Sequence, residues 1–581
     1  MLIVDLDRGS IETEAVPPAW RAKYLGGKGL GARYLYDRVG PNVGPLNPAN
    51  QLIILVGPLS GYLPGDGRFA AITKSPLTGL FLDSYAGGSY ARSFRSSMPE
   101  YAGIIITGSA RELHILDCRG ADPTLRPAAE LAGAHVDTVD DQFGAASVLT
   151  VGPAGESGVS FATIAVDGGD HHAGRGGAGA VMGTKGLKAI VLPRRDRLEA
   201  PNRAIADLRE QAETELTDSA YGAAYRTSGT LETVEFADAT GLLSSVGWRD
   251  RGFSATSDIG IEAVRRAAKG REREKTAFPG DYRVKSELGE TVIRGGTPIA
   301  LGANLGVTEF DVVATLGTLC DRLGLDVISA GNTIALAMLA SREGIIDRSL
   351  SFGDEDDARN LLEEIANRSS SLGETLSMGV ERAAAELKMN EAIPTVKSME
   401  VPSFDPRGAP AIALAYATSD RGACHRRAVP ATVQVFESAW TPTQTAQATI
   451  AEQDRRAGLW CLIVDDLTSP VVSDLGREWL AAIGMEYATR ELWAIGRRTW
   501  TLTRLFNVRE GIDRQDDRLP AVFAAQDGID RGWFKRSLSR YYQLRDWDDR
   551  GLPSRRLLER LGLFEIVDEH TPIGDHPIHG S

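Results

Sequence analysis

The first two hundred residues crowd glycine into four runs that a long helix would not tolerate. These runs are YLGGKGLGARYL (24–35), PGDGRFAAITKSPLTG (64–79), SYAGGSYARSFR (84–95) and HHAGRGGAGAVMGTKGLKAI (171–190). The chain holds 63 glycines in 581 residues, about 11% against a usual ~7%. A glycine inside a helix costs about 1 kcal/mol relative to alanine. Short strands joined by tight turns are therefore expected here. The intervening segments read as strands, being brief β-branched runs punctuated by glycine and proline. They are LIILVGPLSG (52–61), RFAAITKSPLTG (68–79), GIIITGSA (103–110), VSFATIAVDGG (159–169) and KAIVLPR (188–194). The prediction is a glycine-rich β domain over residues 1–198.

Each glycine run sets small residues beside a cation. Without Cβ, a backbone N–H can approach a ligand closely and φ can turn positive. Successive N–H groups then form anion-binding concavities, and Arg68, Lys74, Arg175 and Lys185 stand ready to add charge. A phosphate-bearing cofactor suits this composition. Tight turns in a β domain with solvated basic residues suit it too, because no run has the Walker or dinucleotide spacing followed by a helix.

After PNRAIADLREQAETELTD (201–218) the texture changes to helical periodicity. Segments 314–345 and 359–387 keep apolar residues three and four apart, and FGDEDDARN brings acids to a helix N-terminus. The proline-bearing stretch 392–410 reads as an inter-domain crossing, and 411–560 is again mostly helical. Three domains result: 1–198, 199–395 and 396–581. The composition, 43% hydrophobic and 24% charged, is that of a globular chain and not a disordered one. A net charge of −14 argues against a nucleic-acid surface. No run of about 18 apolar residues predicts a membrane span, and MLIVDLDRGS is not a secretory leader. The four cysteines, Cys118, Cys320, Cys424 and Cys461, include no CxxC pair. A disulfide framework is not expected, and the cytoplasm is the expected compartment. No feature specifies an oligomeric state.

The run GGKGLGARYLYDRVGP, the KSPLTG segment, the AGGSYA turn, VGPAGESGVSFATIA and above all GRGGAGAVMGTKGLKAI resemble the aldehyde ferredoxin oxidoreductases in content, order and spacing. The resemblance implies a three-domain α+β fold, with an N-terminal β domain as the base for a bis-pterin tungsten (or molybdenum) cofactor and two mainly helical domains covering it. In that family the metal is held by pterin dithiolenes and magnesium bridges the pterin phosphates. A four-cysteine [4Fe–4S] cluster passes electrons to ferredoxin, and an aldehyde plus water is interconverted with a carboxylic acid. Carried over, Arg68 and Arg175 contact pterin phosphates, with Lys74 in the same cofactor-binding set and Gly87, Gly88, Gly176 and Gly177 in the approaching loops. In CDRLGLDVISAG (320–331), Asp321, Leu325 and Asp326 fall in a pterin-binding motif, where the carboxylates accept from ring N–H groups. The alternative is that the two acids terminate a helix. In ATSDRGACHRR (417–427), His425 falls on the active-site histidine, suited to proton transfer by its ordinary pKa of ~6.5; its bland alternative is a satisfied core histidine.

The departures from the family pattern are equally specific. Tyr85 stands for an asparagine whose carbonyl helps hold magnesium, and Cys424 stands for an aspartate. Lys275, Phe278 and Tyr282 occupy three cluster-cysteine positions, and none can ligate iron. Cys461 is the lone relic of the four, so no [4Fe–4S] cluster is expected. Arg294 and Gly296 replace two glutamates, while Arg456 stands near the place of a pterin-binding aspartate, with Asp454 two residues earlier. Three readings follow. The first is a metallopterin oxidoreductase acting on an aldehyde, oxo or carboxylic-acid-type small molecule without the cluster, its electrons passing to an electron-transfer protein or its reaction redox-neutral. The second is a metallopterin-free enzyme using acid–base chemistry at His425 in the same interdomain cavity. The third is a non-catalytic partner subunit.

Overall fold

The computed structural model describes residues 1–575 except 66, 274–275, 403, 429–433, 435–436, 438–439 and 525–527. Two six-stranded sheets make the N-terminal third. The first contains β1 (Leu2–Asp5), β2 (Ser10–Thr13), β3 (Leu52–Val56), β4 (Phe69–Lys74), β5 (Phe81–Ala86) and β6 (Gly103–Thr107), in the order β2-β1-β6-β3-β4-β5. The second contains β7 (His114–Asp117), β8 (Thr124–Pro127), β9 (Ala146–Thr150), β10 (Ile164–Val166), β11 (His171–Ala173) and β12 (Leu187–Pro193), in the order β11-β10-β9-β12-β7-β8. Pairing is antiparallel except for β1 with β6 and β12 with β7.

The first sheet is buried on both faces, which explains the unbroken apolar run of LIILV. Side chains alternate across a strand, so Leu52, Ile54 and Val56 enter the core between the two sheets with Leu149, Ile164 and Ile190. Ile53 and Leu55 enter a different core, shared with the helical domains. The edge strand β2, SIET, is polar and partly exposed, the usual protection against edge pairing.

YLGGKGLGARYL corrects the expectation of an anion-binding turn. Residues Gly27–Arg38 form a helix buried along nearly its whole length. Its glycines allow close packing: a Cβ on Gly29 would meet Tyr24 O, Cys461 Sγ and Thr499 Oγ1 within 3.0 Å, and one on Gly31 would strike Ile72. The helix lies between the sheet and helices Pro442–Leu462 and Thr489–Arg509. The remaining two thirds is mainly helical. One three-stranded antiparallel sheet interrupts it, formed by Ala268–Arg271, Tyr282–Ser286 and Gly289–Ile293. Among the described residues no helix is long and apolar enough to cross a membrane.

Candidate functional site

Six pieces of chain meet between the β domain and the C-terminal helices: β5, the Gly27–Arg38 helix, the turn after β11, the start of helix Val327–Arg342, the short strand Met399–Glu400 and the segment 420–427. The Lys28 ammonium lies 2.9 Å from Asp83 Oδ2 and 2.6 Å from Asp420 Oδ2. Arg427 donates to the Asp83 carboxylate at 2.5 Å and to its carbonyl at 2.9 Å. Arg421 donates to that same carbonyl at 2.7 Å, and the Tyr85 hydroxyl donates to Asp83 Oδ2 at 2.7 Å. Burial alone would raise the Asp83 carboxyl, but Arg427, Lys28 and Arg421 outweigh it and hold the group well below the usual carboxylate range. Arg175, beside them, donates to Ala423 O (2.9 Å), Glu400 O (2.7 Å) and Glu400 Oε1 (2.5 Å), and its Nε lies 3.8 Å from Asp326. Lys28, Arg175, Arg421 and Arg427 thus face Asp83, Asp420, Asp326 and Glu400, and all eight are buried.

The hydrogen bonding of this set does not close on itself. Arg175 Nε, Arg421 Nε, Arg427 Nε, Asp420 Oδ1, Glu400 Oε2 and His425 Nδ1 are buried without a hydrogen-bond partner among the described residues. A buried polar group left unsatisfied costs about 1–3 kcal/mol, and native interiors pair nearly all of them. Arg427 Nε and Asp420 Oδ1 face each other at 3.5 Å, and Arg175 Nε faces Asp326 at 3.8 Å. Arg421 Nε, Glu400 Oε2 and His425 Nδ1 are left, and they suit a polar group that the protein does not itself contain. Both donors and acceptors are among them.

His425 lies at the edge of this locality, its ring edge-on to Phe404 at 5.6 Å. Burial, then Arg426, Arg175, Arg421 and Arg456, push its pKa well below 6.5. The ring is neutral at physiological pH, so it is a proton acceptor and not an acid. Cys424, one residue earlier, accepts from Arg421 Nη2 at 3.0 Å. No cysteine–histidine dyad forms between them.

The other expected residues divide. Arg68 pairs with buried Asp465, which is held below its ordinary pKa chiefly because Arg68 overcomes the effect of burial. Lys74 sits at the far end of β4 from Arg68, about 20 Å along an extended strand, and is paired with Glu510 at 2.6 Å. Lys185 donates to Pro48 O and Gly108 O. The structure thus does not bring Lys74 and Lys185 to the cage. Gly88, Gly176 and Gly177 have φ of +90°, +94° and +86°. However, a Cβ on each would strike Asp167, Leu82 and the Ser160 carbonyl respectively, so these glycines serve close packing within the β domain. Gly87 lies in the same turn, at the end of β5, and is buried.

Asp326 caps helix Val327–Arg342, accepting from Ser329 N at 2.9 Å and Ser329 Oγ at 2.8 Å, and also reaches Arg175. Asp321 accepts from Thr291 Oγ1 at 2.6 Å and faces His172 Nε2 at 3.2 Å. Leu325 is buried, its backbone bridging to Ala162. Asp326 therefore belongs to the cage, while Asp321 is satisfied elsewhere. Tyr85 stacks on Trp460 at 3.9 Å. Arg294 is held by Asp281 (3.0 Å) and Glu272 (3.4 Å), and a Cβ on Gly296 would meet Ile328 only at 3.9 Å. Arg456 pairs with Glu452 and Asp466, and Asp454 with Arg545.

Cys461 Sγ donates to Ala457 O at 3.1 Å inside the Pro442–Leu462 helix, and burial pushes its thiol up to about 11. Phe278 packs with Leu216 and Leu467, Tyr282 begins a strand of the small sheet, and Lys275 lies outside the described residues. Sequence reasoning missed Lys28, Asp83, Asp420, Arg421, Arg427 and Glu400. One available signal was SDRGACHRR, which puts three arginines and an aspartate within nine residues.

Comparison with known proteins agrees over nearly the whole chain. The family model described as "Aldehyde ferredoxin oxidoreductase, N-terminal domain" matches residues 1–194, and "Aldehyde ferredoxin oxidoreductase, domains 2 & 3" matches residues 207–563. The tungsten-containing aldehyde ferredoxin oxidoreductase of Pyrococcus furiosus is 32% identical, covering 97% of this chain and 98% of the relative. The enzyme of the same description from Thermococcus kodakarensis is 31% identical over 97% and 99%. The WOR-like subunit of an aliphatic sulfonate oxidoreductase from Pyrococcus furiosus is 24% identical over 98% and 97%. Among solved structures, the active-site complex BamBC of benzoyl coenzyme A reductase with 1,5-dienoyl-CoA superposes with a TM-score of 0.83. It is 24% identical over 97% of both chains, a likeness of fold.

Proposed function

The chain belongs to the aldehyde ferredoxin oxidoreductase family, and from that premise we propose that it interconverts an aldehyde or related oxo compound with a carboxylic acid at a tungsten (or molybdenum) bis-pterin centre, with magnesium at the pterin phosphates and without a [4Fe–4S] cluster. The carrying observation is the group of buried polar atoms Arg421 Nε, Glu400 Oε2 and His425 Nδ1, which have no hydrogen-bond partner among the described residues, set beside the buried guanidiniums of Arg175 and Arg427. The donor set fits such a cofactor. Guanidinium N–H groups suit phosphate and ring oxygens, and the carboxylate oxygen of Glu400 suits a ring N–H donor. When bound, the centre supplies the two-electron change between aldehyde plus water and acid.

The chain's own residues handle charge and protons around that change. Arg175, Arg421 and Arg427 hold anionic oxygens. His425, neutral in its ring of arginines, accepts at Nδ1 one of the protons released on oxidation. Cys461 is engaged in helix packing, and Phe278 and Tyr282 offer no thiolate, so electrons leave to a redox partner docked close to the site.

One observation favours a second reading, in which the site does acid–base chemistry without the metallopterin. Arg68 and Lys74 are already neutralised by Asp465 and Glu510, and Gly88, Gly176 and Gly177 are filled by protein atoms. Metal analysis of full-length protein, expressed with tungstate and molybdate supplied, separates the two. Near-stoichiometric tungsten or molybdenum without iron is expected. Iron in cluster proportion would overturn the cluster-free part, and folded, active protein with neither heavy metal would leave the second reading.

A further inference from the structure

Three of the four cysteines are inert by environment. Burial pushes Cys118 up to about 12 and Cys461 up to about 11, and holds Cys320 well above its ordinary value. Cys424 is equally buried, yet its surroundings are guanidinium groups. Arg421 Nη2 donates to its sulfur at 3.0 Å. Burial raises the thiol, but Arg421, Arg427 and Arg175 bring it down to about 7.

A second observation is independent of titration. Arg421 spends Nη1 on the Asp83 carbonyl and Nη2 on Cys424; Arg427 spends Nη2 on Asp83; Arg175 spends its two terminal nitrogens on Ala423 and Glu400. In all three, each more than nine-tenths buried, Nε has no hydrogen-bond partner. Arg175 Nε faces Asp326 at 3.8 Å and Arg427 Nε faces Asp420 Oδ1 at 3.5 Å, whereas Arg421, with both terminal nitrogens tied back by the protein, keeps its Nε edge for another group.

We propose that Cys424 is a positioning residue whose sulfur anchors Arg421 at the seam between the β domain and the C-terminal helices, so that Arg421 presents its free Nε–H edge to an anionic oxygen of the bound group. The inference rests on the metallopterin reading for the identity of that group, though not for the anchor itself.

The charged and titratable groups facing the sulfur come from every packed element. Arg421, Arg426 and Arg427 lie on its own segment, and Asp83 on β5 is bound by the same Arg421 and Arg427. Arg175, held by Glu400, comes from the turn after β11, and Tyr416 completes the set. Arginines stay charged, Asp83 is held ionised, His425 is neutral, and burial pushes Tyr85 and Tyr416 up. The sulfur is left to titrate near neutrality. Its folded pKa lies below the unfolded value of ~8.5, so its stabilisation is full above that value and is lost as pH falls through about 7.

The test compares full-length wild type with Cys424→Ser, which removes the charge, and Cys424→Asp, which fixes it. The readout is the rate of irreversible thermal unfolding from about pH 6 to about pH 9. Expected is a wild-type advantage over Cys424→Ser that grows about tenfold across this range, with Cys424→Asp ahead of Cys424→Ser by a constant ratio. A pH-independent ratio between wild type and Cys424→Ser would mean a packing role and overturn the proposal. Should Cys424→Ser not accumulate, far-ultraviolet thiolate absorbance of the wild type reads the same ionisation. One thiolate appearing near pH 7 supports the anchor, and none appearing below about pH 9 overturns it. Tungsten and molybdenum per chain, measured on the same samples, should fall severalfold in Cys424→Ser and recover in Cys424→Asp. A wild type without heavy metal would sink the metallopterin reading, while the pH profile would still judge the anchor.

Discussion

His425 and Cys461 show how little a residue type says about its use. Both were carried over by the same family resemblance, and their surroundings differ in opposite ways. His425 Nδ1 is buried with no hydrogen-bond partner among the described residues, so losing that nitrogen orphans none of them. Replacing it with glutamine should leave the fold intact and lower kcat/KM by about 10²–10⁴-fold, the usual contribution of a positioned base. Because arginines and burial hold its pKa well below 6.5, wild-type kcat/KM should show no histidine-dependent decline from pH 8 to about pH 6; a limb at the ordinary histidine value would contradict the neutral-base role. Cys461, by contrast, is satisfied by Ala457 O and packs against the Gly27–Arg38 helix. A serine there makes the same bond, so Cys461→Ser should change stability by no more than about 1 kcal/mol and leave the iron content unaltered. An iron loss on that substitution would mean that the sulfur ligates a cluster after all.

At the scale of elements, the same glycines do two different jobs, and local sequence does not separate them. The strand runs were legible because β-branched alternation and turn residues are local signals; β3, β4, β6 and β10 fall within the segments read as strands, and β12 begins one residue before its segment. The Gly27–Arg38 helix was not, since its glycines oppose a helix locally and become favourable only where neighbouring backbone must come close. Gly177 illustrates the packing role: at φ +86° its missing Cβ would fall on the Ser160 carbonyl. Gly133, at φ +70°, has nothing within 4 Å of the same position. Gly177→Ala should therefore cost about 2–4 kcal/mol through strain and overpacking, and Gly133→Ala about 1 kcal/mol through φ alone. Denaturation midpoints of the two variants measure the difference, and equal shifts would remove the packing explanation. The same limit governed the cations. Arg68, Lys74 and Arg175 were visible beside glycine, but nothing nearby in sequence announced Asp465, Glu510 and Glu400, which lie 397, 436 and 225 residues away.

Those long separations define the whole molecule, because the site is a seam that exists only once the domains have met. Lys28 and Asp420 are 392 residues apart, and their contact joins the N-terminal helix to the segment that carries Cys424 and His425. A buried pair is weak evidence of net stability, but breaking one side strands the other, typically at about 3–5 kcal/mol. Lys28→Met should therefore destabilise strongly, and adding Asp420→Asn should recover part of the loss, because the second change removes a stranded carboxylate. Asp83 and Asp465 add a pH dependence of definite sign. Both carboxyls are held below their ordinary values by arginine or lysine partners, so their stabilisation is present above an unfolded pKa of ~3.9 and is lost as pH falls below it. Asp83 shares the face of β5 with Phe81, opposite the face whose Leu82 enters the core between the sheets, and Asp465 pairs with Arg68 across the same seam. Acid should accordingly open the molecule along the seam first: below about pH 4, hydrogen exchange at β5 and residues 420–427 should accelerate before exchange at β9 and β12. Simultaneous loss of protection in both regions would mean that the β sandwich does not outlast the seam, and that these ion pairs hold the two halves of one cooperative unit.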